Sequence, residues 1–88
     1  MILSKIQIHK YDDNYKEENH IGKNTLASID IIIDCNVIIN DIKLMNGIKG
    51  EYLVFPSDDK GRNIAYPIKD STRQNILNEV LKKYKEED

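Results

Sequence analysis

The stretch TLASIDIIIDCNVIINDIKLMNGIKGEYLVF, residues 25–55, decides the fold. Residues 25–34 place Ala27, Ile29, Ile31 and Ile33 on one face, and period-two alternation marks a half-buried strand. β-branched residues dominate it, as pleated surfaces favour. Asp34, Cys35 and Asn36 make a tight turn. Residues 37–45 supply the next strand, with Ile38, Ile42 and Leu44 on one face. Asn46-Gly47 is a hairpin signal, because both residues tolerate positive φ. Residues 51–55, EYLVF, are apolar on both faces, which predicts a central strand or one covered by a partner chain. Pro56 ends it, since proline cannot donate to a ladder.

Outward from this block, residues 2–9 alternate with Ile2, Ser4, Ile6 and Ile8 on one face and predict a further strand. Residues 10–24 are charged and poor in aliphatics, so a solvated loop is expected, mobile over 10–23. After Pro56, residues 57–63 read as a polar loop with a glycine turn, and IAYPI, residues 64–68, as a short extended piece. A helix is predicted over 71–85, with Ile76, Leu77, Val80, Leu81 and Tyr84 as its apolar stripe. Asp70 or Ser71 is the expected cap, and Ser71 with Gln74 has capping-box spacing. The last residues, 85–88, form an acidic end expected to fray. The order predicts an α+β domain, an antiparallel sheet of about four to five strands followed by one C-terminal α-helix. The 88 residues fit a single domain.

Composition narrows function more by exclusion than by assignment. One cysteine, Cys35, allows no intrachain disulfide, and a free thiol fits a reducing, cytoplasmic setting. The opening MILSKIQIHK carries charges where a secretory signal needs an apolar core, and no apolar run reaches membrane-spanning length. The net charge of −2 argues against a simple polybasic nucleic-acid binder. A chain this short buries only about 60–65% of its unfolded surface, so association is the expected remedy without disulfides or metals.

No nucleophile, base and orienter are grouped, and His9 and His20 with Cys35 form no metal-ligand spacing. Asp58, Asp59 and Gly61 read as a turn and lack the other positions of a calcium loop. No glycine-rich phosphate loop is present, since Gly47 and Gly50 flank a hairpin and do not open a helix. The chain is therefore read as a binding protein and not an enzyme, with no cofactor. Arg73 is the feature that needs explaining, because it stands in the first turn of the predicted helix, where the dipole disfavours a cation by about 0.3–1 kcal/mol. Free N–H groups at a helix start hold anions, and Thr72 and Arg73 add a hydroxyl and a guanidinium there, which suits a phosphate. The structural alternative pairs Arg73 with Asp70 or with a carboxylate of a second subunit.

Residues 41–57, DIKLMNGIKGEYLVFPS, followed by 63–84, NIAYPIKDSTRQNILNEVLKKY, resemble the stage V sporulation protein G (SpoVG) family of septation regulators. The resemblance rests on ASI at 27–29, Gly47 and Gly50, YLVFPS, IAYPI and the STR helix opening, in that order and spacing. It implies a homodimer of small α+β subunits, cytosolic, binding DNA and in some members RNA as a regulator of septation or sporulation. It connects Ser71, Thr72 and Arg73 with nucleic-acid contact, and Lys69, Arg62 and Lys60 lie near in sequence. Asp58, Asp59, Tyr66 and Asn75 depart from the family pattern, each with less positive charge. The competing expectation is a protein-binding adaptor on the same dimeric fold, its acidic loops meeting a protein partner.

Overall fold

A computed structural model of the protein describes residues 3–62, 67 and 69–86. Ile2, most of the IAYPI piece with Tyr66, and the last two residues lie outside the described residues.

Four strands, β1 (Leu3–Lys10), β2 (Thr25–Ile33), β3 (Val37–Gly47) and β4 (Gly50–Val54), form an antiparallel sheet in sequence order. A short helix, α1 (Asp13–Glu18), joins β1 to β2, and a long one, α2 (Asp70–Glu86), follows the sheet. The α+β class with one C-terminal helix is thus as expected.

The inner face is built by the alternating rows. Ala27, Ile29 and Ile31 of β2 and Ile42 and Leu44 of β3 are fully buried. Leu53 and Phe55 extend the same layer, and Ile76 and Val80 of α2 close it. Leu77, Leu81 and Tyr84 pack around that seam, as the helical stripe predicts. Each fully buried Ile or Leu contributes about 1.5–3 kcal/mol, so this one sheet–helix layer is the main source of stability among the described residues.

Two bulges set which residues join it. At Leu3/Lys5 the β1 register shifts past Ser4, so Leu3, Ile6 and Ile8 pack on the core and Ser4 is exposed. The predicted inward row through Ser4 is corrected accordingly. Its hydroxyl instead accepts the Cys35 N–H at 2.8 Å, tying the β2–β3 turn to β1. That turn is the tight one expected, with Asp34 and Cys35 both at positive φ (52° and 57°) and the Asn36 N–H bonded to the Ile33 carbonyl at 3.0 Å.

The second bulge lies between β2 and β3. Ile29 pairs Ile42 but Ile31 pairs Ile39, so two β3 residues, Asn40 and Asp41, oppose Asp30 alone. Asp41 takes φ 64°, and its N–H bonds to the Asp30 carboxylate at 3.0 Å. The extra residue turns Ile39 toward the core and leaves Ile38, the predicted inward residue, 55% exposed.

The β3–β4 hairpin is flanked by Gly47 and Gly50, which pair as expected, with Ile48 and Lys49 at its tip. Gly50 supplies the positive φ, at 120°. Two more expectations change. β4 is an edge strand among the described residues and not a central one, with Tyr52 and Val54 exposed on the face away from α2. The segment read wholly as loop contains α1, capped by the Asp12 side chain accepting the Tyr15 N–H at 2.7 Å. None of its residues is buried, and it is held through Tyr11, which stacks on Tyr15 at 5.1 Å.

Urea unfolding tests this layout. Ile29→Ala is expected to cost about 2–5 kcal/mol. At the bulge, Asp41→Gly keeps the positive φ and is expected to stay within about 1 kcal/mol, whereas Asp41→Val forces a β-branched residue into it and costs about 1–3 kcal/mol. Equal effects of Gly and Val would remove the backbone explanation for the bulge.

Candidate nucleic-acid interface

The first i→i−4 bond of α2 runs from the Arg73 N–H to the Lys69 carbonyl at 3.1 Å. Lys69 therefore holds the N-cap position, and the expected capping by Asp70 or Ser71 is corrected. The N–H groups of Asp70, Ser71 and Thr72 have no partner within the helix, as at any helix start. Lys69, Asp70, Ser71 and Arg73 are exposed and Thr72 is half-buried. Asp70 already places one carboxylate in this first turn, where the dipole favours it.

Arg73 does not pair with Asp70 among the described residues. Its guanidinium lies over the ring of Phe55, 5.4 Å from the centroid. Phe55 is only 5% exposed, so the cation covers the outer end of a core ring. Such a contact at an exposed cation contributes about 0.5–1 kcal/mol, about the size of the dipole penalty. The guanidinium N–H groups make no hydrogen bond or ion pair among the described residues, which leaves them to another acceptor.

The loop after Phe55 is organised by Asp58. Its Oδ1 accepts the N–H groups of Lys60 at 3.0 Å and Arg62 at 2.8 Å, and its Oδ2 accepts Arg62 Nε at 2.9 Å. The Asp58 N–H donates to the Arg62 carbonyl at 2.7 Å, and Gly61 sits at φ 80°. The Arg62 N–H bond chiefly holds the Asp58 carboxyl below the usual range; desolvation opposes it, and the Arg62 side chain and the Lys60 N–H add to the lowering. Arg62 is thus half committed within its own loop, while Lys60 is exposed. Phe55 and Asp58 are only three positions apart, at most about 10–11 Å of chain. Phe55 therefore keeps Arg73 near the root of this loop. No hydrogen bond or ion pair joins Lys60 or Arg62 to Lys69, Ser71, Thr72 or Arg73 among the described residues.

A second polar group on the opposite sheet face was not legible in the sequence. Lys43 Nζ lies 2.6 Å from Asp41 Oδ1 and 3.2 Å from the Tyr11 hydroxyl, and Ser28 donates to the same Asp41 oxygen at 3.2 Å. The Lys43 bond chiefly lowers the Asp41 pKa. Burial is the largest single influence on Lys43 and pushes it down, but its bonds to Asp41 and Tyr11 together leave it raised. These residues meet only because the bulge turns Asp41 outward, and they brace it. Among the described residues no cluster of His, Cys, Asp and Glu is disposed to hold a metal, and no helix is long and apolar enough to cross a membrane.

The protein is a small α+β domain, an antiparallel meander backed by one C-terminal helix, with a cation at the exposed helix start. The SpoVG family model matches residues 1–86. The chain is 43% identical to the "Putative septation protein SpoVG" of Agathobacter rectalis, over 99% of this chain and 95% of that protein. It is 35% identical to the protein of the same name from Finegoldia magna, over 77% of this chain and 67% of that one. The Staphylococcus aureus counterpart is also 35% identical, over 70% of this chain and 66% of that protein. The chain belongs to the SpoVG family.

Arg73→Ala removes a cation–π contact and a dipole penalty of like size, so its stability is expected to stay within about 0.5 kcal/mol of the parent. Phe55→Ala loses a core ring and is expected to cost about 3–5 kcal/mol. Paired thermal melts read both; a large loss in Arg73→Ala would assign Arg73 an ion pair in place of the ring contact. The Asp58 shift carries a sign. A lowered folded pKa means its contribution is present above the unfolded value and is lost as pH falls through the folded one. NMR titration should place the Asp58 midpoint below that of a free aspartate, with Lys60 and Arg62 amide shifts following it. A midpoint at or above the ordinary value would remove the loop closure.

Proposed function

We propose that the protein is a homodimeric, DNA-binding regulator acting in septation or sporulation control in the cytoplasm, with RNA as a second ligand. The observation that carries this reading is Arg73, seated over Phe55 at the open start of α2. A phosphate placed there would meet the free N–H groups of Asp70, Ser71 and Thr72, the Thr72 hydroxyl and the Arg73 fork. Lys69 and Lys60 would add positive charge, and Arg62 what its bond to Asp58 leaves. Phosphate contacts of this kind give affinity without sequence preference. The family resemblance at STR supports the same placement.

Dimerisation is supported by side chains that the single subunit leaves in water. Ile38, Tyr52 and Val54, on the face away from α2, are 55%, 46% and 42% exposed. A second copy would cover this side of the sheet. A protein-adaptor reading is favoured by one observation, the exposed acidic run Asp12, Asp13, Glu17 and Glu18 at α1.

Sedimentation at micromolar concentration is expected to give twice the chain mass, and a folded monomer would overturn the dimer. Duplex binding is expected to weaken in Arg73→Ala, with the slope of log K against log salt reduced by about 0.9. Asp59→Lys is the charge control, since Asp58 closes its loop and Asp59 is exposed. It should strengthen DNA binding; absence of any salt-dependent binding to DNA or RNA would leave the adaptor reading.

A further inference from the structure

The β3–β4 hairpin tip contains a side chain that the fold itself does not use. Ile48 is 107% exposed, so it contributes no burial to the subunit. A hairpin bend ordinarily takes Asn, Asp or Gly, and Asn46-Gly47 stands immediately before it. Yet Gly47 pairs Gly50, and Ile48 and Lys49 are carried to the tip instead. Just before β2 the Asn24 carbonyl accepts the Asn46 N–H at 2.8 Å, so the tip stands just beyond this contact.

The tip is braced. A Cβ at Gly47 would meet the Tyr52 ring at 2.9 Å, so the ring lies close across that glycine. Glycine is required there by the close approach, and the ring limits how the hairpin end can bend. Around it opens a concavity lined by Asn24, Asn46, Lys49, Glu51 and Tyr52 beside Ile48. The side-chain amides of Asn24 and Asn46 and the Tyr52 hydroxyl have no hydrogen-bond partner among the described residues. Lys49 and Glu51 offset each other in net charge, which leaves Lys49 as the cation beside Ile48.

An apolar point flanked by amides and a cation is the chemistry of a minor-groove wedge, which unstacks a base step and reads A·T edges. We propose that this tip is a second DNA contact, in which Ile48 inserts between base pairs from the minor groove of a duplex while Asn46 and Lys49 hold a base edge and a phosphate beside it. The proposal rests on the DNA-binding reading above and adds a deforming contact to its phosphate contacts. Gly50 and Phe55 are five residues apart, about 17 Å of strand at 3.3–3.4 Å per residue. That is about five base pairs of rise, so the wedge falls on a different part of the duplex from the phosphate at Arg73.

The experiment measures affinity, salt slope and unstacking together, on an A·T-rich duplex carrying 2-aminopurine. The wild-type protein should raise 2-aminopurine fluorescence on binding. Ile48→Ser should lose that rise and at least about tenfold in affinity, with the salt slope unchanged, because no phosphate contact is removed. Arg73→Ala should bind more weakly with a reduced slope but retain the fluorescence rise at saturation. Because Ile48 is solvent-exposed, Ile48→Ser should melt as the parent does. If Ile48→Ser binds and unstacks like the parent while Arg73→Ala weakens, the wedge is overturned and the DNA reading stands. If the wild-type protein binds no duplex, both fall; if Ile48→Ser weakens single-stranded RNA alone, the duplex assignment is overturned.

Discussion

One helix has to cover the whole apolar side of the sheet, and everything else in the described structure follows from that constraint. With α2 as the only long helix among the described residues, every strand must turn its apolar row to the same face. β3 cannot do so by simple alternation, because its sequence puts Ile38 and Ile42 in one phase and Ile39 in the other. The extra residue at Asn40–Asp41 reconciles them by resetting the phase between Ile39 and Ile42. A non-glycine residue at positive φ is costly, and Asp41 is among the few types that tolerate it. Its N–H is taken by Asp30, and its carboxylate by Lys43 and Ser28. The polar cluster on the far face is the support that lets the core rows line up.

This also marks how far the sequence could be read. The β2 row through Ala27, Ile29 and Ile31 was legible because an uninterrupted strand keeps period two, and the α2 stripe because seventeen helical residues keep period 3.6. The errors sit where one residue breaks the count. Ser4 and Ile38 were placed inward by alternation, and a bulge at each site moved them out. The hairpin was legible from Gly47 and Gly50, which pair at its ends, and the Leu44–Leu53 and Met45–Tyr52 pairs continue that register. A strand with a buried face to align holds its register. α1 was missed for the opposite reason, since a six-residue helix with no buried face has no periodicity to detect. Its one sequence signal was Asp12 as a cap.

At the candidate site the helix start and the loop were legible as neighbours in sequence, but their organising residues were not. Phe55 reads as the end of a strand, and only the fold shows its ring beneath Arg73. That contact changes the meaning of the arginine. An arginine that serves only as an ion-pair partner has its fork occupied, whereas one held over a ring by cation–π attraction spends none of its N–H donors on that contact. Because the ring contact and the dipole penalty are of similar size, Arg73 can be retained at the helix start at little net cost to the fold.

Asp58 illustrates why a charge difference cannot be judged by sign alone. Against the family pattern it reads as a lost cation, which would lower phosphate affinity. In the structure it receives two backbone N–H groups and the Arg62 Nε, and so fixes the backbone on which Lys60 and Arg62 stand. A lysine there would add charge and remove the acceptor that closes the loop, leaving those two N–H groups to water. The electrostatic gain is screened within about 8–10 Å at ordinary ionic strength. Loss of the closure frees the loop and raises the ordering cost of any contact that uses it. Asp59, exposed and outside this hydrogen-bond set, carries the same formal charge without that structural duty. The acidic pair therefore divides into one residue that shapes the loop and one that only sets its potential.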